Sequence, residues 1–161
     1  MQFKIMSAIF APVAALTLSA GAASVSAGSE RSGHLLAVKY CPAPGFTGDP
    51  GSYCTFTSSN VPEIIPINSK LYYDQGVGSL PAAGEPLLDS NVILDAGNGN
   101  RARGRCTLDL TTFLGGLCTF SDGTGDFAGF YARVTVNCPN FATKALCFLD
   151  GTYSFGEDEQ Q

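Results

Sequence analysis

Arg101-Ala102-Arg103-Gly104-Arg105-Cys106-Thr107-Leu108-Asp109-Leu110 decides the fold, because its side chains alternate. Ala102, Gly104, Cys106, Leu108 and Leu110 fall on one parity, and the arginines, Thr107 and Asp109 on the other. A period of two is that of a strand with one face buried. Residues 117–121 continue the pattern. Folding the two segments about a turn near Thr112 sets Cys118 opposite Cys106 and Phe120 opposite Gly104, all on the apolar side. A cross-strand disulfide then follows from the register itself.

Working outward, residues 128–136 alternate in the same way, with Ala128, Phe130, Ala132, Val134 and Val136 expected inside and Tyr131, Arg133 and Thr135 outside. Turn signals recur along the chain at Asn98-Gly99 and Asp122-Gly123-Thr124-Gly125. Strand-like segments are expected at about 35–40, 52–57, 64–73, 88–96, 101–110, 117–121, 127–136 and 146–155. Regular short strands with Gly-rich turns and no long helix or repeat mark an all-β sandwich or barrel. Pro81 to Pro86 reads as an exposed loop.

The N-terminus carries Lys4, then an apolar stretch from Ile5 to Leu18, then small residues ending in Val25-Ser26-Ala27. That order is expected of an export signal cleaved after residue 27. The stretch contains Pro12 and hydroxyl residues and lacks a basic stop, which disfavours a membrane-spanning helix. The organisation expected is a signal peptide at 1–27, one barrel domain at 28–156 and an acidic tail at 157–161. The mature product is expected to be secreted or periplasmic, with no integral membrane segment.

Removing residues 1–27 takes away one basic residue and no acid, so the formal charge moves from −5 to −6. An acidic chain of this kind argues against a nucleic-acid partner, since such binders concentrate basic charge on one face. All six cysteines (41, 54, 106, 118, 138 and 147) lie in the mature part. An even count in an exported chain reads as disulfides, and the spacing groups them as Cys41–Cys54, Cys106–Cys118 and Cys138–Cys147. No C-x-x-C pair is present and His34 is the one histidine, so neither a metal nor a cofactor is expected.

Two stretches resemble the allene oxide cyclase and dirigent-like barrel superfamily, in particular its bacterial barrel-like members. Ile65-Pro66-Ile67-Asn68-Ser69-Lys70-Leu71-Tyr72 is similar to the "VPFTNKLY" run of the plant cyclases. The second, Asp122-Gly123-Thr124-Gly125-Asp126-Phe127-Ala128-Gly129-Phe130-Tyr131-Ala132 followed after a short gap by Asp150-Gly151-Thr152-Tyr153-Ser154-Phe155, resembles the family's glycine-rich turn and strand and its last barrel strand. The resemblance implies an eight-stranded antiparallel, calycin-like barrel, whose interior is either filled by side chains or holds one small ligand. It carries over no chemistry. The plant enzymes use a carboxylate from the first barrel strand, whereas Leu35-Leu36-Ala37-Val38-Lys39-Tyr40 contains no acid. The plant members are also stromal and lack this disulfide set.

Candidate chemistry is thin. His34 is expected on the surface ahead of the first strand, and Asp74, Asp109, Asp122, Asp126 and Asp150 in turns or facing out, with Glu63 at a strand edge the one acid left as an inward candidate. Gly123-Thr124-Gly125 lacks the helix and basic residue of a phosphate loop. Arg101, Arg103 and Arg105 read as a solvated strand face that discourages edge pairing. Parity places the hydroxyls of Tyr40, Ser69, Tyr73, Ser90 and Tyr153 inside, where they either satisfy one another or meet a ligand. The sequence thus favours a non-catalytic role, binding a small apolar ligand or serving as an extracellular interaction module. The rival readings are a cyclase-like isomerase with Tyr153 and Tyr73 as hydrogen-bond donors, and a structural protein with a filled barrel.

Overall fold

A computed structural model of the chain describes residues 31–43, 45–75 and 87–156. The expected export signal at 1–27, the expected loop at 81–86 and the expected acidic tail at 157–161 lie outside the described residues. Eight strands run in chain order: β1 Ser32–Tyr40, β2 Tyr53–Ser59, β3 Lys70–Tyr73, β4 Leu87–Gly97, β5 Asn100–Asp109, β6 Gly116–Thr124, β7 Phe130–Asn137 and β8 Leu146–Phe155. Each pairs antiparallel with the next, and β8 returns to β1 over nine residue pairs, closing the barrel. Closure removes the unpaired edges that an open sheet would expose. Among the described residues no helix is long and apolar enough to cross a membrane.

The deciding hairpin forms in the expected register. Cys106 faces Cys118 and Gly104 faces Phe120. The Phe120 ring lies over Gly104, where an added Cβ would come within 2.7 Å of the ring and 2.3 Å of the Thr119 carbonyl oxygen. The turn between β5 and β6 is held by Asp109, which accepts hydrogen bonds from Thr111 and Thr112 and is thereby held below the usual carboxylate range. All three disulfides pair as the spacing implied, and among the described residues no cysteine is free. Three bridges are consistent with an oxidising environment.

Several local expectations are corrected. The third strand is confined to Lys70–Tyr73 rather than starting at 64. Pro62 and Pro66 have no N–H to donate to a ladder, and Val61 to Ser69 instead folds as turns, with Ile64 and Ile65 both donating to the Val61 carbonyl. Glu63 is exposed in this segment and does not face the interior. β6 runs on through Thr124, with Asp122 at a positive φ of 52°, and the chain reverses in a 3-10 turn at Gly125–Phe127. Ala128 is consequently exposed at that turn, while Phe130, Ala132, Val134 and Val136 are buried as expected. His34 lies within β1, not ahead of it, and its Nε2 sits 2.7 Å from Asp150 Oδ1 on β8.

The arginine row also has a different meaning. β5 is flanked by β4 and β6, so there is no edge to protect. Arg105 instead grips Asp89 of β4 through two hydrogen bonds of 2.7 and 2.6 Å, and Arg101 bonds Asp95 at 2.9 Å. These are cross-strand pairs on the outer surface of a closed sheet, each of modest worth in solvent.

Candidate functional site

The two ends of the barrel differ. At the end where β8 finishes, Phe127, Phe130 and Phe155 pack at centroid distances of 4.9 and 5.2 Å, and Arg31 covers the Phe155 ring at 4.0 Å. That end is filled. At the opposite end Cys41–Cys54 joins the end of β1 to the start of β2, Cys106–Cys118 spans β5 and β6, and Cys138–Cys147 joins β7 to β8. The loops there carry an aromatic chain: Tyr73 to Phe46 at 5.3 Å, Phe46 to Phe141 at 6.1 Å, and Phe141 stacked on Phe113 at 5.0 Å. Phe141 sits on the short helix α1, Phe141–Lys144, whose C-cap residue Ala145 accepts the Cys41 N–H.

Beneath these rings lies a partly enclosed cavity of about 150 Å³, bounded by Phe46, Leu88, Leu108, Phe113 and Val136 and by Cys41, Cys106, Cys118 and Cys147. Lys39 projects into it. On β1 the inward parity is Leu35, Ala37, Lys39, and Lys39 pairs across to Phe56 of β2 and Cys147 of β8. The side chain is 3% exposed. Its Nζ lies 2.6 Å from the Tyr73 hydroxyl, its one hydrogen-bond partner among the described residues, and 5.3 Å from the Tyr73 ring centre.

No buried carboxylate answers this amine among the described residues; the other buried polar side chains are Ser52, Ser69 and Ser90. A cation removed from water without a counter-ion is strongly disfavoured. Burial accordingly pushes the Lys39 amine from 10.5 down to about 7. The same burial pushes the Tyr73 phenol up, beyond its ordinary range, so it keeps its proton. Its oxygen also lies 3.8 Å from Cys54 Sγ; because that sulfur is disulfide-bonded, the hydroxyl is the donor in this contact. Ser52, two residues before Cys54, buries an Oγ that has no hydrogen-bond partner among the described residues.

The five hydroxyls expected to converge do not. Tyr73 alone lines the cavity. Tyr40 is 40% exposed and faces out, because the inward parity of β1 belongs to Lys39. Ser69 is buried but spends its hydroxyl on the Pro66 carbonyl at 2.6 Å. Ser90 is buried and bonds the Asn91 carbonyl at 2.7 Å while accepting the Gln75 N–H at 3.2 Å. Tyr153 is half-buried at the filled end, packed against Phe130 and Phe155.

Sequence reasoning missed Lys39, because β1 is apolar on both parities, Leu36, Val38 and Tyr40 on one and Leu35 and Ala37 on the other, so composition does not say which faces in. A wider depression of about 780 Å³ lies around Tyr72, Ile93 and Arg103, but it is an open surface groove. No family model, curated protein or solved structure matches this chain.

Proposed function

We propose that this protein is an exported carrier that binds one small, largely apolar molecule in the disulfide-braced end of its barrel, with the molecule's polar atom accepting a hydrogen bond from Lys39. The observation that carries this reading is an apolar cavity containing an ionisable amine whose one hydrogen-bond partner among the described residues is a phenol. Its volume sets the size of guest: about 150 Å³ is enough for a benzene-sized molecule. The leader-like N-terminus and the three disulfides support export. The resemblance to the allene oxide cyclase barrel belongs to this proposal as a statement about fold only.

The test is a methyl NMR titration with toluene. Shifts confined to Leu88, Leu108 and Val136, abolished by the cavity-filling change Leu88→Phe, are expected. No shift at millimolar toluene overturns the reading and leaves the filled, structural barrel.

One observation favours an isomerase as the second reading. An amine held at about 7 is matched to proton transfer at neutral pH, a role that the phenols cannot fill. Stereoselective turnover of an apolar epoxide, lost in Lys39→Met, decides for it.

A further inference from the structure

We propose that Lys39 captures a small apolar aldehyde as a covalent imine inside the barrel, with the Tyr73 hydroxyl handling the proton traffic; this rests on the cavity-binding reading above. Three features of the site converge on carbonyl chemistry. The amine lies inside a cavity whose walls offer it no carboxylate, so nothing among the described residues holds it as an ammonium. Its low proton affinity keeps a large share as the neutral nucleophile near pH 7. The phenol 2.6 Å away retains its proton and is placed to give a hydrogen bond to a carbonyl oxygen brought to Nζ.

The groups facing the amine decide between ligand classes. From β2 the inward neighbours are Cys54 and Phe56, from β8 Cys147 and Leu149, and from β3 Leu71 and Tyr73. Only Tyr73 among them titrates, since both cysteines are disulfide-bonded. A carboxylate guest would have to be desolvated into apolar walls and would be met by a partly neutral amine. A neutral aldehyde pays no such penalty.

The step balances without a further reactant. The Nζ lone pair forms the C–N bond as the carbonyl π pair moves to oxygen, which takes a proton relayed by Tyr73. The carbinolamine then breaks its C–O bond. Both hydrogens of the departing water originate on the amine, Tyr73 regains its proton, and no oxidation or reduction occurs. Apolar walls that exclude water favour the imine over its hydrolysis.

The experiment incubates the mature, disulfide-intact protein with benzaldehyde and sodium cyanoborohydride near pH 7, followed by peptide mass mapping. Lys70, Lys144 and the chain's N-terminal amine serve as internal controls. Expected is a benzyl adduct on Lys39 formed at least about tenfold faster than on Lys144, because an amine of ordinary pKa is almost wholly protonated there. Toluene should suppress labelling at Lys39 alone. Tyr73→Phe should slow it while leaving the toluene shifts in place, which also reports that the variant has folded. Toluene binding without preferential Lys39 labelling overturns the imine and spares the carrier reading. Neither binding nor labelling overturns both. Tight binding of benzoate with no aldehyde adduct reassigns Lys39 as an ion-pair partner and likewise overturns the imine.

Discussion

Lys39 and Gly104 show what single positions decide in this barrel. An amine with a folded-state pKa of about 7, against 10.5 when exposed, binds fewer protons folded than unfolded between those values. Stability therefore rises with pH across that window, and the full penalty is present below it. Among the described residues the one titratable group facing the amine, Tyr73, is pushed up by burial and opposes the trend only above pH 10, where the unfolded phenol ionises. Urea titrations from pH 6 to 9.5 are expected to show this rise in the parent protein. They should show little slope in Lys39→Met, which is expected to be more stable by a few kcal/mol at pH 6. A flat parent profile contradicts the burial of a lone amine. At Gly104 the limit is steric, since the Thr119 carbonyl oxygen and the Phe120 ring occupy the space of a side chain. Gly104→Ala is expected to cost about 1–3 kcal/mol, read from the shift in denaturation midpoint.

At the scale of elements, the β5–β6 hairpin was legible in sequence down to the residue pair. Alternation fixes the face of each strand and a one-residue slip would expose every apolar side chain, so the cysteines can meet in only one register. Replacing Cys106 and Cys118 together by Ala is expected to lower stability by about 2–4 kcal/mol while keeping the barrel's circular dichroism. Non-reducing peptide maps that link either cysteine elsewhere contradict the hairpin. The third strand was less legible because Ile64, Ile65 and Ile67 give an apolar run of strand-like composition, and the prolines beside it turn the chain instead. The inward face of β1 was misjudged for a related reason. Leu35-Leu36 is apolar on both parities, so composition there leaves the phase open, and it is the nine-pair register with β8 that turns Lys39 in and Tyr40 out.

Across the whole molecule the two ends are stabilised by different means: interlocked phenylalanines at one, three disulfides and a half-buried aromatic lid at the other. Mild reduction is therefore expected to loosen only the cavity end. Hydrogen exchange at the Cys41 and Cys138 amides, which bond the Ala145 and Phe113 carbonyls, should accelerate well before that of Phe130 and Phe155, and toluene affinity should fall in step. Uniform acceleration along every strand contradicts this division. The sequence by itself determined the all-β class, the strand count, the cysteine pairing and most inward faces, because each follows from a period of two and from contacts between chain neighbours. The cavity, the burial of Lys39 and its meeting with Tyr73, from strands β1 and β3 that do not pair directly, were decided only by closure of the barrel. A void is what remains after side chains from many strands and loops have packed, and an amine's proton affinity is set by that surround rather than by its neighbours along the chain.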